Sequence, residues 1–355
     1  MATPASVRTA PRTRRVLIWL RNIGLALICL IFLLALIGAS YQSFETHRDV
    51  RRFPQDGRLV DVGGYRLHIT CTGSGSPTVV FESGFGGPGM EWRLVQPPVA
   101  QFTRACSYDR AGYGWSDAGP IPRTSAQIAK ELHTLLHNAG EQPPYVLVGH
   151  SFGGYNVRVF NGMYSNEVAG MVLVDASHED QMEKMPANLK KSNEAVAKGA
   201  ELQRKLAPLL LRLGVMRLMI RNQYAETGVS RNILDELHFL NLQKKFIEAT
   251  SAESAAINES ANQVRKSGNL GDKPLIVLTA GKLRINEAQL PKGVTKKDYQ
   301  DLFEIWVNDL QVREAHLSTR GKRIMVPDSG HIIPFEKPDA IVAAIREVCN
   351  EVNVP

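Results

Sequence analysis

The longest uninterrupted apolar segment of the chain lies close to its N-terminus. Residues 23–39 contain no charged side chain, and residues 16–20 extend the apolar stretch beyond Arg21 and Asn22. A helix needs about 20 apolar residues to cross the hydrocarbon core of a bilayer. Arg21 stands near one end, where its long side chain can reach the membrane surface. The pattern predicts a transmembrane anchor over residues 16–40.

Basic residues surround the start of this segment. The first 22 residues contain five arginines and no acidic residue, namely Arg8, Arg12, Arg14, Arg15 and Arg21. A positive flank stays cytoplasmic, so we expect a single-pass protein with a cytoplasmic N-terminus and the rest of the chain outside, although Arg48, Arg51 and Arg52 weaken the asymmetry. The alternative is a signal peptide cleaved near Gly38 and Ser40, which gives a secreted protein. The apolar run is longer than the usual ~7–15 residues of such a signal.

Strand-like and helix-like patterns alternate from residue 58 onwards. The strand-like segments are 58–62, 65–71, 78–81, 103–108, 145–148, 171–174, 275–278 and 323–326. The helix-like segments between and after them include 124–138, 152–163 and 338–352. Apolar strands separated by helices are typical of a mostly parallel sheet that is covered on both faces.

The alternation stops between residues 175 and 273, where the pattern is helical. A loop of that length is improbable in a compact domain, so we expect a helical insertion packed over one edge of the sheet. Its stretch 206–220 is apolar enough to dip into a membrane, but Arg212 and Arg217 interrupt it and favour packing on the core. The predicted organisation is a basic tail (1–15), an anchor (16–40), a linker (41–57), a core (58–175 and 271–355) and a helical cap (176–270).

Composition and charge exclude several classes of protein. The chain of 355 residues is 44% hydrophobic and 22% charged, which is ordinary for a globular protein. Four cysteines are too few for a fold built on disulfides. Most of the net charge of +7 comes from the five N-terminal arginines, so the remainder is nearly neutral. A nucleic-acid groove needs a basic stripe on the folded body, and we therefore expect no nucleic-acid partner.

The candidate nucleophile follows the strand-like segment 145–148. Gly149, His150, Ser151, Phe152 and Gly153 form a G-x-S-x-G sequence between a strand and a helix, which is the context of a nucleophile elbow. The turn strains the backbone and lifts the serine hydroxyl above the sheet. Small residues at both glycine positions let the strand and the helix approach each other. An inert serine in a glycine-rich turn is the alternative interpretation.

The candidate base is His331, which stands just after the last strand-like segment. Loops that follow parallel strands open on the same edge of a sheet, so His331 is expected to reach Ser151. His150 is adjacent to Ser151 but is expected to point away from its hydroxyl. His178 is a weaker candidate, and the other histidines are interpreted as structural or surface residues.

Together these segments resemble the α/β-hydrolase fold family over residues 58–352. The matching motifs are residues 82–87, 108–117, 149–154 and 329–331. The resemblance implies an eight-stranded sheet with an antiparallel second strand, a cap after the sixth strand, and a Ser–acid–His triad without metal or cofactor. With serine as the nucleophile at position 151, the chain resembles the esterase- and lipase-like branch of the family. Epoxide hydrolases and dehalogenases of this family need a carboxylate nucleophile instead.

The same resemblance implies an oxyanion hole and leaves the acid open. The backbone N–H groups of Phe85 and Phe152 match the family's two donors. In the family's usual acid position, after the seventh strand, this chain has Arg284. The acid is then Asp175, at the end of the sixth strand as in some members, or else Glu287. Two further residues, Glu179 and Asp180, complete the set of candidates, and the absence of any acid is also open.

The expected reaction is hydrolysis of a carboxylic ester in a lipophilic small molecule. An amidase, thioesterase, carbon–carbon hydrolase or perhydrolase uses the same triad, and a catalytically inactive binding protein is the alternative from another class. In this fold the second and fourth strands are neighbours, which brings Cys71 and Cys106 close together. A disulfide is possible if the domain is exported, and two small buried thiols are the alternative.

Overall fold

A computed structural model of the chain describes residues 12–219, 228–287 and 290–352. Arg8 of the expected basic tail and Ile220 of the apolar cap stretch lie outside these residues. The first element is helix α1, Arg12–Arg52, which runs without interruption for 41 residues. The segment expected to be a linker is therefore helical as far as Arg52. Within the described ranges, α1 is the one helix long and apolar enough to cross a membrane.

Eight strands form one sheet in the order β1-β2-β4-β3-β5-β6-β7-β8. Strand β2 is antiparallel to β1 and β4, and the remaining neighbours are parallel. The expected mostly parallel sheet with an antiparallel second strand is confirmed. The strands are β1 Arg58–Asp61, β2 Arg66–Thr72, β3 Thr78–Glu82, β4 Ala105–Tyr108, β5 Tyr145–His150, β6 Val168–Val174, β7 Leu275–Ala280 and β8 Gly321–Val326.

The central strands carry apolar side chains on both faces of the sheet. In β5, Tyr145 and Leu147 belong to the core on one face, while Val146 and Val148 belong to the core on the other. Successive strand residues point to opposite faces, so an apolar run without alternation requires helices on both sides. The helices after α1 are α2 Gln96–Val99, α3 Ser125–Ala139, α4 Gly153–Met163, α5 Gln181–Lys184, α6 Ala187–Arg212, α7 Val215–Met219, α8 Arg231–Asn241, α9 Lys244–Ala255, α10 Ile257–Lys266, α11 Lys296–Ile305, α12 Gln311–Ala315, α13 Ile333–Glu336 and α14 Pro338–Val352.

Helices α5 to α10 lie between β6 and β7 in the chain, where a helical insertion was expected. Helix α9 is tied to the core because Arg110, which follows β4, donates from Nε to Glu253 Oε1 at 2.9 Å. Both side chains are buried. This buried ion pair fixes the position of the cap over the loops at the ends of the strands.

The apolar stretch of the cap is only partly packed on the core. Ala207 and Met216 are buried, but Leu206, Leu209 and Leu218 are exposed. The physical reason is in the sequence, because residues 206–211 are all apolar and therefore cover every side of α6. Neighbouring helices can cover only part of such a surface.

Cys71 and Cys106 form a disulfide across β2 and β4. They are directly paired in the antiparallel register, and their Cα atoms are 4.1 Å apart. The other cysteines are free, with Cys29 exposed on α1 and Cys349 buried on α14.

Candidate active site

Ser151 lies on a sharp turn between β5 and α4. Its φ is 50°, in the left-handed region that a serine seldom adopts. A Cβ on Gly149 would lie 2.8 Å from the carbonyl oxygen of Gly153, so the strand and the helix touch through glycine at this point. The backbone is held in place because Ser151 N–H donates to Val174 O at 3.1 Å. The elbow conformation thus presents the hydroxyl at the carboxyl edge of the sheet.

His331 and Asp175 line up behind Ser151. The distance from His331 Nε2 to Ser151 Oγ is 3.0 Å, and the distance from His331 Nδ1 to Asp175 Oδ2 is 2.6 Å. The two residues come from the loops after β8 and β6, at the same edge of the sheet as Ser151. The arrangement lets Nδ1–H donate to the carboxylate while Nε2 accepts the serine proton.

Asp175 is buried and is held by three hydrogen bonds in addition to the one from His331. Its N–H donates to Leu278 O at 2.7 Å, and its Oδ1 accepts from Ala280 N–H at 3.0 Å and from Trp306 Nε1–H at 2.9 Å. Its φ is 41°, which is also left-handed. Burial by itself raises the pKa of Asp175, but the hydrogen bond and charge of His331 and the two donors outweigh burial. The pKa of this carboxyl therefore lies below its ordinary value, and the group is ionised at neutral pH.

The other candidate acids have different partners. Glu287 is exposed and pairs with Lys296 at 2.8 Å. Glu179 accepts from Arg158 at 2.6 Å. Asp180 pairs with two arginines, Arg265 at 2.9 Å and Arg313 at 2.7 Å. The structure brings Asp175 to His331 and leaves these three carboxylates in ion pairs elsewhere.

Arg284, which has the place of the family's usual acid, contacts the histidine loop. Its guanidinium pairs with Glu336 at 2.9 Å, and Glu336 accepts the backbone N–H of Gly330 at 2.8 Å. The arginine therefore braces the turn that carries His331.

Phe85 and Phe152 lie beside the nucleophile with their rings edge to face, 6.4 Å apart. Among the backbone hydrogen bonds of the described residues, neither of their N–H groups has an acceptor. The turn before Phe85 packs tightly, because a Cβ on Gly84 would lie 3.2 Å from Ser151 Cβ. Two free donors in this position can stabilise negative charge on a substrate oxygen.

A buried pair beneath the site, His150 and Glu91, was not singled out from the sequence. Glu91 Oε2 accepts the N–H of Gly84 at 3.1 Å, its Oε1 pairs with His150 Nδ1, and His150 Nε2 donates to the carbonyl of His331 at 2.9 Å. Burial lowers the pKa of His150, but the negative charge of Glu91 outweighs burial and raises it above its ordinary value. The pair connects the loop of Phe85 with the loop of His331. A lone acid between Met90 and Trp92 was the one sequence signal.

Trp306 was also missed, although it borders the site directly. Its ring lies 6.2 Å from that of His331, and its N–H holds Asp175. Phe85 is 43% exposed and contacts the ring of Phe152, the residue after Ser151. The space in front of Ser151 therefore has aromatic walls.

Within the part of the chain that the structure describes, two groups of residues have donor atoms close enough for a metal ion. One contains Cys71 and Cys106, which are already bonded to each other. The other contains His178, Glu179 and Glu314, and here Arg158 supplies the positive charge, 2.6 Å from Glu179 and 3.1 Å from Glu314. The structure also has a cavity of about 380 Å³, which is bordered by Met90, Trp115 and Leu240. Ser151, His331 and Asp175 do not line it.

A sheet of this order, with an elbow after β5 and a cap after β6, defines the class of hydrolases built on the α/β scaffold. The chain belongs to the alpha/beta hydrolase family, whose model matches residues 79–344. The protein YqjL of Bacillus subtilis is 24% identical over 277 residues, covering 78% of this chain and 85% of YqjL.

Two solved structures share the fold. The epoxide hydrolase CorEH aligns with a TM-score of 0.61 at 16% identity, covering 84% of this chain and 99% of CorEH. A thermophilic esterase from Thermogutta terrifontis aligns with a TM-score of 0.56 at 19% identity, covering 84% of this chain and all of the esterase. The shared fold agrees with the family match, which places the chain among the alpha/beta hydrolases.

Proposed function

We propose that this protein is a membrane-anchored serine hydrolase that cleaves a carboxylic ester bond in a lipophilic small molecule. The observation that carries the proposal is the alignment of Ser151, His331 and Asp175 through contacts of 3.0 Å and 2.6 Å. Nucleophile, base and orienting acid stand in the order that acyl transfer requires.

The reaction begins when His331 Nε2 takes the proton of Ser151 and the oxygen attacks the ester carbonyl. The N–H groups of Phe85 and Phe152 hold the resulting oxyanion, and Asp175 stabilises the imidazolium. His331 then returns the proton to the leaving alcohol, which leaves an acyl group on Ser151. Water, deprotonated by His331, attacks the acyl-enzyme and releases the acid.

The identity of the nucleophile supports an ester rather than an epoxide as substrate. A carboxylate at the elbow is needed to open an epoxide in this family, and the chain has Ser151 there. The aromatic side chains of Phe85, Phe152 and Trp306 around the serine favour a substrate with an apolar acyl or alcohol part.

The membrane part of the proposal rests on helix α1. Its large apolar side chains from Val16 to Ile37 are exposed, as expected of a surface in contact with lipid. The arginines at the start of the chain, before the main apolar run, favour a cytoplasmic N-terminus and an extracytoplasmic catalytic domain. The disulfide between Cys71 and Cys106 supports this orientation, because disulfides persist in oxidising compartments.

A fluorophosphonate probe and a series of esters of increasing chain length test the catalytic proposal. The wild type is expected to be labelled and to hydrolyse the esters, and Ser151→Ala is expected to lose both properties. Ser254→Ala, which removes an exposed serine from α9, is the matched control and keeps both. Absence of labelling in the wild type, or equal labelling of Ser151→Ala, would refute the proposal and favour an inactive binding protein.

A further inference from the structure

The cap has an exposed apolar surface at the end of α6 and in α7. We call it the cap tip and define it by Leu206, Leu209, Leu218 and Met219. These side chains are 44%, 55%, 80% and 61% exposed. Single exposed apolar residues are ordinary, but a cluster of large ones marks an interaction surface.

The turn between α6 and α7, which joins the two parts of the cap tip, lies against the membrane helix. Gly38 of α1 packs directly on the backbone of Leu213, where a side chain on Gly38 would collide with the Leu213 carbonyl. A Cβ on Gly214 would lie 3.1 Å from Gly38 O and 3.4 Å from the ring of Tyr41. The turn between α6 and α7 is therefore fixed beside residue 38.

The position of Gly38 along α1 indicates how deep in the membrane the contact with Leu213 would lie. Twenty helical residues span about 30 Å, the thickness of a hydrocarbon core, so a span that ends at Gly38 begins at Trp19. Trp19 and Tyr41 are exposed near the two ends, as aromatic side chains at membrane surfaces commonly are. Leu213 then stands at the outer edge of the hydrocarbon.

The four side chains of the cap tip are close to that edge. Leu206 precedes Leu213 by seven helical residues, which is about 10 Å along α6. Leu218 and Met219 follow Leu213 by five and six residues. All four are therefore near enough to Leu213 to reach the surface layer of ~5–10 Å that an amphipathic segment enters.

Two ion pairs hold the cap on the part of α1 that continues beyond Gly38. Asp49 of α1 accepts from Arg217 of α7 at 2.7 Å, and both side chains are buried in the contact. Arg52 pairs with Asp235 of α8 at 2.9 Å. The charge of Arg217, which is next to Leu218 in the chain, is thus neutralised by Asp49. The two ion pairs keep this part of the cap beside α1.

We propose that the cap tip inserts into the outer surface of the bilayer and forms a second membrane contact beside the anchor. The inference rests on the proposed anchor, because the depth is measured from α1. The continuous apolar surface of α1 and the cap tip favours lipid as the occupant. The exposed Arg212 at the end of α6 suits anionic headgroups.

Spin labels on the full chain test the proposal in nanodiscs that hold one copy each. Cys29 is exposed and is the thiol that a spin-label reagent can reach among the described residues. Cys349 is buried, which raises the pKa of its thiol to about 12, and the other two cysteines are bonded to each other. A label on native Cys29 therefore reports on the anchor. Labels on Leu209→Cys and Leu218→Cys, each combined with Cys29→Ala, report on the cap tip.

Val196→Cys in the same background is the matched control. Val196 is also an exposed apolar residue of α6, but it is 13 residues, or about 20 Å along the helix, from Leu209. We expect the labels at 209 and 218 to collide with oxygen more often than with a water-soluble nickel complex, and the label at 196 to show the reverse.

The possible outcomes separate the inference from the proposed anchor. A label at Cys29 that is deep in the lipid, together with labels at 209 and 218 as accessible to nickel as the label at 196, overturns the cap-tip contact and leaves the anchor in place. A label at Cys29 that is accessible to nickel overturns both. Each nanodisc holds one copy of the protein. If the cap tip is normally covered by a second copy and not by lipid, it is exposed to water in these nanodiscs, its labels are accessible to nickel, and the proposal is overturned.

Discussion

Replacing Asp175 by asparagine reverses the hydrogen bonding of His331 while preserving the shape of the site. The carboxylate has two well-defined oxygens, of which Oδ1 accepts from Ala280 N–H and Trp306 Nε1–H and Oδ2 accepts from His331 Nδ1–H. In Asp175→Asn the amide oxygen must remain at the Oδ1 position, because two donors face it. The amide NH₂ then faces His331 Nδ1.

A donor in that position forces the proton of His331 onto Nε2. The nitrogen that faces Ser151 then carries a proton and cannot accept another, so the base is lost although every atom keeps its place. Loss of the correct tautomer in a triad of this kind lowers kcat by about 10³–10⁴-fold, equivalent to about 4–5.5 kcal/mol of transition-state stabilisation. Asparagine is chosen because it tolerates the left-handed φ of 41° better than alanine does.

The assay is hydrolysis of a water-soluble ester by purified full-length protein, with thermal unfolding as the check on folding. Glu287→Gln is the control, since Glu287 is exposed and pairs with Lys296, and we expect its rate to stay within about twofold of the wild type. The reasoning is refuted if a folded Asp175→Asn keeps more than about a tenth of the wild-type kcat, or if Glu287→Gln loses activity to the same extent.

Two further substitutions test the surroundings of the site. Gly84→Ala places a Cβ 3.0 Å from His150 Nδ1 and should displace the N–H of Phe85. We expect kcat to fall by about 10²–10³-fold while the protein stays folded. An unchanged kcat would count against Phe85 N–H as an oxyanion donor. Burial raises the pKa of Glu314 to about 7, so its protonated form stabilises the folded state below pH ~4.5, and this contribution of up to about 3 kcal/mol is lost as the pH rises through 7. Glu314→Gln should therefore flatten the dependence of the melting temperature on pH between 5 and 8, and a slope equal to that of the wild type would contradict this.

The sequence sufficed for the parts of the site that depend on short segments. The nucleophile turn follows from Gly149 and Gly153 around Ser151, because strand, turn and helix are neighbours in the chain. His331 follows from its place after the last strand in a parallel sheet. These inferences need no knowledge of how distant loops pack.

The choice between Asp175 and Glu287 could not be made from the sequence. It depends on where the loops after β6 and β7 meet, and on the donors from Ala280 and Trp306 that hold one carboxylate in place. Trp306 lies more than 130 residues from Asp175 in the chain, and no local pattern connects the two residues.

A linker was expected over 41–57, whereas the structure has helix as far as Arg52. Gln42, Glu45, Asp49 and Phe53 of this segment are spaced three or four residues apart. The structure half-buries Gln42 and buries the other three. That spacing places them on one side of a helix. The pattern was present in the sequence, but it acquires its meaning only when α6, α7 and α8 are there to cover that side.

The unbroken helix α1 determines what the catalytic domain can reach. A flexible linker of 17 residues would let the domain wander over about 20–25 Å, and ester bonds at many heights above the membrane would be accessible. Since α1 is helical to Arg52 and ion-paired to the cap, Ser151 is carried at one fixed height. In a membrane, such an enzyme would select among substrates by how far the scissile bond lies from the bilayer midplane, so that the position of a bond within a lipid matters as much as its chemistry.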